Sequence, residues 1–197
     1  MNINPFGMEQ LFNHLNSIYP LTDKLAAYLA TNLKTRNLKK KEFLLKQGHV
    51  SRDICFIDQG LLRCFYLIED KEVCAWFMKE GDVVISVESF FYQTKSYQSI
   101  QALNDSLLYY ITYDELQYCF RNFPEFNIIG RVLTERYYAL SEQRLYSLRM
   151  QRAPDRYNYL MKYHSELIQR VPSKYLASYL GIAEVTLSNI KGQLQIS

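Results

Sequence analysis

Seven side chains near the end of the sequence have the types and the spacing that contact nucleic acid. Ser173, Lys174 and Lys191 supply a hydroxyl and two ammonium groups, which bind phosphate oxygens. The residues that would meet base edges stand between the two lysines: Val185, Thr186, Ser188 and Asn189. Asn forms paired hydrogen bonds with adenine, and Val meets a thymine methyl group. These residue types predict a DNA contact wherever the fold gathers them on one surface.

Two short helices joined by a glycine would gather them. The apolar positions fall on two helical faces, Leu176, Ala177 and Leu180 on the first and Leu187 and Ile190 on the second. Gly181 stops the first helix, since glycine enters the left-handed conformation without a Cβ penalty. Ser173 stands at the expected N-cap, and Ala177 is small enough for a close helix crossing. The pattern is typical of a helix-turn-helix; the alternative is a tight helical hairpin inside a packed core.

The cysteines and histidines are too scattered to form a metal site. They are Cys55, Cys64, Cys74 and Cys119, with His14, His49 and His164. No C-x-x-C pair occurs, so we expect buried, reduced thiols, no bound metal and no cofactor. No nucleophile–base or paired-carboxylate pattern stands out either, and the sequence predicts no enzyme.

Composition and charge predict a folded cytoplasmic protein with a basic C-terminal part. Hydrophobic residues make up 48% of the 197 residues, and Gly and Pro are scarce. The first residues lack a basic segment followed by an apolar run, and no apolar stretch could span a bilayer, so neither a signal peptide nor a membrane partner is expected. Residues 131–197 hold ten Lys and Arg against five Asp and Glu, whereas residues 1–130 hold thirteen against fifteen. The basic excess falls on the segment that would bind phosphates.

The first two thirds of the chain change from helical to strand-like periodicity. Residues 8–34 show two short helical stripes, separated by Pro20, and Thr22 precedes the second. The predicted strands are 43–45, 54–57, 61–68, 73–78, 83–87, 100–103 and 107–111. Turn signals at Gly48, Gly60 and Gly81 separate several of them. Many short strands with regular turns favour an antiparallel sandwich or roll over βαβ units.

A long helix follows, after a short one over residues 114–121. It starts at Pro124 and continues to about residue 149. Its apolar stripe would form a dimer contact: Ile129, Val132, Leu133, Tyr137 and Leu140, with Leu148 continuing the stripe. The alternative is that this stripe packs on the chain's own β-roll. Pro154 marks a new helix start that leads into the helix-turn-helix.

This order of elements resembles the Crp/Fnr superfamily of bacterial transcription regulators, in its Bacteroidetes-type version. The resemblance is carried by Lys46-Gln47-Gly48, by Ile54 to Arg63, by Phe77-Met78-Lys79-Glu80-Gly81-Asp82, by Arg156-Tyr157 and by Val171 to Ile182. It covers nearly the whole chain. It implies a cyclic-nucleotide-binding-type β-roll, a dimer helix and a C-terminal winged helix acting as a homodimer on DNA.

The sequence departs from the family pattern in the ligand site. Members that bind cyclic AMP hold its ribose with a Gly-Glu pair and its phosphate with an Arg-Ser pair. Here the corresponding stretches read Ile85-Ser86 and Ser96-Tyr97-Gln98-Ser99, and the only Lys or Arg between Gly81 and Arg121 is Lys95. The resemblance therefore implies a degenerate effector pocket that does not take cyclic AMP. Its expected residues are Ile85, Ser86, Val87, Phe90, Lys95, Tyr97 and Gln98.

The recognition helix departs from the family as well. The usual run resembles Pro-Glu-Thr-Leu-Ser-Arg-Ile-Arg, and its base-reading Glu and Arg have become Val185 and Asn189. Little sequence remains after Gln193 for a wing. The changed helix keeps a rival function open, in which the C-terminal region is a partner-binding or structural module without specific DNA binding.

Taken together, the sequence predicts an α+β protein in three parts. Residues 1–123 would form a β-roll (jelly roll) sensor with flanking helices, residues 124–150 the dimer helix, and residues 151–197 an all-α, winged helix-turn-helix domain. We expect a homodimeric transcription regulator whose effector biases the hinge at residues 149–155. Its expected partners are double-stranded DNA and a second copy, with an unidentified small-molecule effector and RNA polymerase as further candidates.

Overall fold

The structure, a computed structural model, describes residues 5–150 and 152–195. Residues 1–4, 151, 196 and 197 lie outside the described ranges. Two predictions therefore fall on residues that are not described: the absence of a signal peptide at the start of the chain and the middle of the hinge at residues 149–155. The helices are α1 (Pro5–Ile18), α2 (Asp23–Asn32), α3 (Val87–Tyr92), α4 (Tyr113–Asn122), α5 (Pro124–Arg149), α6 (Ala153–Tyr163), α7 (Ser165–Arg170), α8 (Ser173–Leu180) and α9 (Glu184–Gln195). The strands are β1 (Lys34–Leu38), β2 (Phe43–Leu45), β3 (Asp53–Gln59), β4 (Leu61–Ile68), β5 (Lys71–Lys79), β6 (Val83–Val84), β7 (Ser99–Ala102) and β8 (Ser106–Thr112).

The strands form two antiparallel four-stranded sheets, which confirms the predicted fold class. One sheet has the order β1-β8-β3-β6 and the other the order β2-β7-β4-β5. Gly60, between β3 and β4, shows why a turn glycine is needed: its φ is +124°, and an added Cβ would lie 2.1 Å from the Ser106 hydroxyl. A side chain at this turn would therefore collide with the start of β8.

Two elements differ from the sequence prediction. The sequence analysis did not predict the polar strand β1. Only Leu38 of the five residues in this strand is buried, and the usual apolar alternation is absent. Its pairing with β8 is instead supported by Arg36, which makes a 2.8 Å salt bridge to Asp53 and lies over the Tyr110 ring. The predicted strand 83–87 ends at Val84, because α3 begins three residues later.

The N-terminal helices pack against the first sheet as the amphipathic stripes predict. Thr22 caps α2, its hydroxyl accepting a 3.3 Å hydrogen bond from the Leu25 amide. Thr112 and Glu115 form a capping box at α4. The core that these helices share with the sheet contains Leu25, Leu29, Phe56, Phe90, Tyr109, Leu116, Phe126 and Ile129, among others.

The structure corrects the dimer role predicted for Ile129. This side chain has 0% exposure, because the first half of α5 packs into the core of the roll. A residue without accessible surface cannot contact a second copy. At Ile129 the helix therefore packs on the β-roll of its own chain, which was the alternative interpretation of the apolar stripe.

The chain divides into two compact units that cut across the predicted boundaries. One comprises the described residues of 1–64 and 78–135, and the other those of 65–77 and 136–197. The tip of the β4–β5 hairpin thus belongs to the same unit as the C-terminal helices, and α5 contributes to both units. Within the second unit, α6, α8 and α9 pack on one another.

Residues 152–195 form helices and short connecting turns, without a strand. The helix α7, which the sequence analysis did not predict, is a six-residue segment that buries Leu167. The last helix continues to Gln195, and no strand follows it among the described residues. The expected wing is therefore not formed in the part of the chain that the structure describes.

Candidate nucleic-acid interface

The turn between α8 and α9 has the geometry that the sequence predicts. Gly181 is left-handed, with φ of +64°. The Gly181 amide donates to the Ser178 carbonyl and the Ile182 amide to the Ala177 carbonyl, both at 3.1 Å. These are the two hydrogen bonds of a Schellman motif, which ends a helix and redirects the chain sharply. The turn therefore fixes where α9 starts relative to α8.

The two faces of α9 differ in the way that a recognition helix requires. Leu187 and Ile190 are buried against the neighbouring helices. On the other side Val185 is 69% exposed, and Ser188 and Asn189 are also exposed. Because positions three and four apart share a helical face, these three side chains form one outward row. Thr186 is half-buried beside them.

The predicted phosphate ligands come together at the start of α8. The Lys191 ammonium donates to the Ser173 hydroxyl at 3.4 Å, although the two residues are 18 positions apart. Lys174 is exposed and lies near its neighbour's ring, 6.0 Å from the centroid of Tyr175. The N-terminal end of a helix carries partial positive charge and unpaired amides, which add to the charge of the two lysines at this corner.

The N-cap prediction for Ser173 is wrong by one position. The structure has Pro172 at the N-cap, with no side-chain hydrogen bond there, and Ser173 is the first residue of α8. Its hydroxyl is therefore directed to Lys191 and not to its own helix. Glu184, in the first turn of α9, is exposed and acidic.

Ser86 of the predicted effector pocket and the nearby Ser96 hydrogen-bond within their own chain. The Ser86 and Ser96 hydroxyls lie 3.0 Å apart, and the Ser96 hydroxyl also donates to the Gln98 carbonyl at 2.9 Å. The Gln98 amide returns a 3.0 Å hydrogen bond to Ser96. These contacts join the start of α3 to the loop before β7, and they engage both serine hydroxyls.

The rest of the predicted pocket divides between core and surface. Phe90 is fully buried in the roll core, where its ring lies 5.4 Å from that of Tyr113, and Ile85 packs against that core. Val87, Lys95 and Tyr97 are exposed. The prediction that Phe90 lines a pocket is therefore corrected, because a side chain with no accessible surface packs and does not bind.

The roll contains a buried arginine that the sequence analysis did not treat as a site residue. Arg63 on β4 is 1% exposed, and its Nε and Nη2 both donate to the Gln101 side-chain oxygen, at 3.0 and 2.7 Å. Gln101 in turn donates to the Lys41 carbonyl at 2.9 Å. The available signal was an arginine within the apolar run of residues 61–68, since a charge is seldom fully buried without partners.

The exposed apolar side chains of α5 include only one position of the predicted stripe, Leu148. Val132, Leu133, Tyr137 and Leu140 are half-buried, and Leu133 packs against the roll core. The exposed large side chains are Tyr138, Leu145, Tyr146 and Leu148. At 100° per residue, Tyr138 and Leu145 point to the side of the helix opposite Ile129.

The four cysteines are buried, and they form no disulfide with one another. Burial raises the pKa of the Cys55 and Cys119 thiols to about 12, which keeps both protonated. Within the described ranges, no cluster of His, Cys, Asp and Glu could hold a metal ion. Nor is any helix described there long and apolar enough to cross a bilayer.

Comparison with known proteins gives one match to a domain family and several structures of similar fold. Residues 35–123 match the cyclic nucleotide-binding domain family. The comparison with curated protein sequences gave no match. A Crp/Fnr family transcriptional regulator from Eubacterium rectale has a TM-score of 0.72 at 14% identity, covering 93% of this chain and 88% of that one.

Two further solved structures are similar to the chain. A mutant of CooA from Carboxydothermus hydrogenoformans has a TM-score of 0.71 at 17% identity, covering 92% of this chain and 84% of that one. The c-di-GMP responsive global regulator CLP of Xanthomonas campestris has a TM-score of 0.66 at 16% identity, covering 87% and 90%. At these identities the likeness shows a shared fold.

Proposed function

Starting from a cyclic nucleotide-binding domain on a chain with the fold of Crp/Fnr regulators, we propose a homodimeric transcription regulator that binds double-stranded DNA. One observation carries the proposal. The phosphate-binding set at the start of α8 and the outward row of α9 lie on neighbouring helices of one packed unit. The row would enter the major groove while Ser173, Lys174 and Lys191 hold the backbone.

The row would read half-sites rich in A·T. Asn189 can pair with the N6 and N7 atoms of adenine, and Val185 can meet only a methyl group. No arginine stands in the outward row of α9 to select guanine. The two half-sites would lie about one helical turn apart, as the two-fold symmetry of a dimer requires.

The dimer would form along α5. Four large apolar side chains remain exposed there, in the second half of the helix: Tyr138, Leu145, Tyr146 and Leu148. An exposed apolar stripe on a long helix is stable in water only when a partner covers it. Light scattering at micromolar concentration tests this: we expect twice the chain mass, and a monomer would contradict the proposal.

The DNA proposal is tested by selecting random duplexes with the purified protein. We expect an enriched palindrome, and binding that weakens as salt rises, because lysines displace counterions from phosphates. Lys174→Ala should weaken all duplexes alike, and Lys162→Ala on α6 is a matched exposed control. Recovery of no sequence above background would favour the rival, a partner-binding module, for which the exposed Val185 is the supporting observation.

The roll would sense an effector other than cyclic AMP, or none. A cyclic phosphate loses its hydration on entering the roll and needs an arginine or several amides in return. The exposed Lys95 supplies a point charge without paired geometry, and the buried Arg63 is hydrogen-bonded to Gln101. Calorimetry should therefore detect no micromolar binding of cyclic AMP. The c-di-GMP response of CLP makes that dinucleotide a useful second probe.

Localisation and further partners follow from this role. A regulator of transcription works in the cytoplasm, where its buried thiols stay reduced. RNA polymerase would be its second macromolecular partner. The effector, where one acts, would shift the hinge at residues 149–155, across which the Arg156 guanidinium donates to the Met150 carbonyl at 2.7 Å.

A further inference from the structure

The side chain of Ser178 closes the open edge of a β-strand. β5 is the outermost strand of its sheet, so backbone groups on its outer side have no neighbouring strand. The Cys74 amide donates to the Ser178 hydroxyl at 3.0 Å, and that hydroxyl donates to the Glu72 carbonyl at 3.0 Å. Residues two apart on a strand point their backbone groups to the same side, so one hydroxyl serves both. Helix α8 is thereby attached to the hairpin.

Arg144 attaches the same helix to α5. Its guanidinium lies 3.4 Å from the centroid of the Tyr179 ring, and its Nη2 donates to the Tyr179 carbonyl near the end of α8. Its Nε also donates to the Ala75 carbonyl of β5 at 3.4 Å. Burial lowers the pKa of Arg144, yet an arginine remains charged at neutral pH. A cation at the C-terminal end of a helix is favourably placed, and its planar group can stack and donate at once.

These contacts join three elements of one compact unit. Arg144 extends from α5, Ser178 and Tyr179 from α8, and the hairpin strand β5 lies against both. The Phe77 ring on β5 completes the set, 5.1 Å from that of Tyr179. We call the Arg144 and Ser178 contacts the clasp.

We infer that Arg144 and Ser178 are positioning residues for DNA recognition, which set the spacing between the two recognition helices of the dimer. The inference rests on the proposed function. Neither residue belongs to the outward row, but α9 is fixed to α8 by the Gly181 turn, and the clasp fixes α8 to the proposed dimer helix. Because a two-fold axis along α5 doubles any displacement, a small rotation of α8 changes the distance between half-sites.

The test compares duplexes that carry the selected half-sites with different numbers of base pairs between them. The variants are Ser178→Ala and Arg144→Gln, and the matched controls are Ser17→Ala on α1 and Arg121→Gln on α4, which are both exposed and lie outside the clasp and outside α5. We expect the parent and both controls to prefer one spacing. Ser178→Ala should reduce that preference about fivefold, the equivalent of one hydrogen bond. Affinity for a single half-site should stay unchanged, because the outward row is intact.

Arg144→Lys separates the clasp from simple loss of folding. It keeps the charge and loses the planar stack, so it should fold like the parent and still lose spacing preference. An unchanged spacing preference in both Ser178→Ala and Arg144→Lys would overturn the inference. So would tighter binding at every spacing, since that result would make the clasp an inhibitory contact.

A measurement without DNA distinguishes failure of this inference from failure of the proposed function. Hydrogen exchange of the Cys74 amide should be slow in the parent, despite its place on an edge strand, and fast in Ser178→Ala. Equal exchange in both would show that the clasp is not formed in solution. Protected exchange in a parent that binds no duplex would instead reject the DNA function, and the positioning role with it, while leaving the contact itself in place.

Discussion

The outward row of α9 and the serines beside α3 use similar polar side chains to opposite effect. On α9, Ser188 and Asn189 are exposed because Leu187 and Ile190 take the buried face. Beside α3, Ser86 and Ser96 are buried and bond to each other. A polar side chain can bind a partner only when its own hydrogen-bonding groups are not already used within the chain. The comparison indicates why the C-terminal region carries the stronger functional proposal.

Removing the support beneath the outward row should have the largest effect. Leu187 has no exposed surface, so Leu187→Ala leaves a cavity and should cost roughly 2–5 kcal/mol of unfolding free energy. Denaturant unfolding measures it. Val185→Ala, on the exposed side of the same helix, is the control and should change stability by less than about 0.5 kcal/mol. An equal loss of unfolding free energy in both variants would contradict the assignment of Leu187 to the buried face of α9 and Val185 to the exposed face.

The turn at Gly60, between β3 and β4, allows a corresponding stability test in the roll. Gly60→Ala forces a Cβ against Ser106 in a left-handed conformation, and we expect it to cost about 1–3 kcal/mol. Gly48→Ala is the control, because an added Cβ there meets no atom within 4 Å and only the φ of +83° is unfavourable. Thermal unfolding should rank Gly60→Ala as clearly the worse. The reverse ranking would contradict the β3–β4 turn.

Changing the outward row itself should affect recognition and leave the fold intact. Asn189→Ala should cost about 1–3 kcal/mol of binding to the selected site and relax the preference at one base pair. Its melting temperature should match that of the parent, since the side chain is exposed. If the selected sequence is the same for Asn189→Ala and for the parent, α9 does not read bases in this register.

The smallest expected effect comes from an ion pair at the edge of the roll. Burial would raise the pKa of Glu115, but hydrogen bonds from the Lys34 ammonium and from Thr112 outweigh it and hold that pKa below its usual value. The depressed pKa contributes stability above the unfolded-state value of about 4.3, and this is lost as pH falls through the folded-state pKa. Glu115→Gln should therefore cost about 1 kcal/mol at pH 7 and less at low pH. A loss independent of pH would assign the effect to the capping box alone.

The sequence predicted elements where local signals and tertiary packing agree. The strand over residues 61–68 and the glycine-ended helix α8 match because one has a continuous apolar run and the other a single residue that tolerates positive φ. Strand β1 was missed because its support comes from Arg36, Asp53 and Tyr110, which are brought together only by the sheet. Periodicity cannot register such a contact.

The candidate sites show the same limit. Leu187 and Ile190 identified the buried face of α9, and with it the outward row, because helical spacing decides both. The apolar stripe of α5 was ambiguous, since a core and a dimer contact require the same residue types, and Ile129 turned out to belong to the core. Ser173 and Lys191 could be assigned to phosphates by type, but their 3.4 Å contact depends on the helix crossing.

The hydroxyl of Ser178 also bears on solubility. An uncovered outer strand is a template for pairing with the strand of another molecule, and proteins protect such edges with charges, bulges or a covering helix. Here the covering helix belongs to the region proposed to read DNA. A movement that released α8 from β5 would expose the Cys74 amide and the Glu72 carbonyl to neighbouring molecules. The same two hydrogen bonds that belong to the proposed clasp therefore also cover the edge of β5.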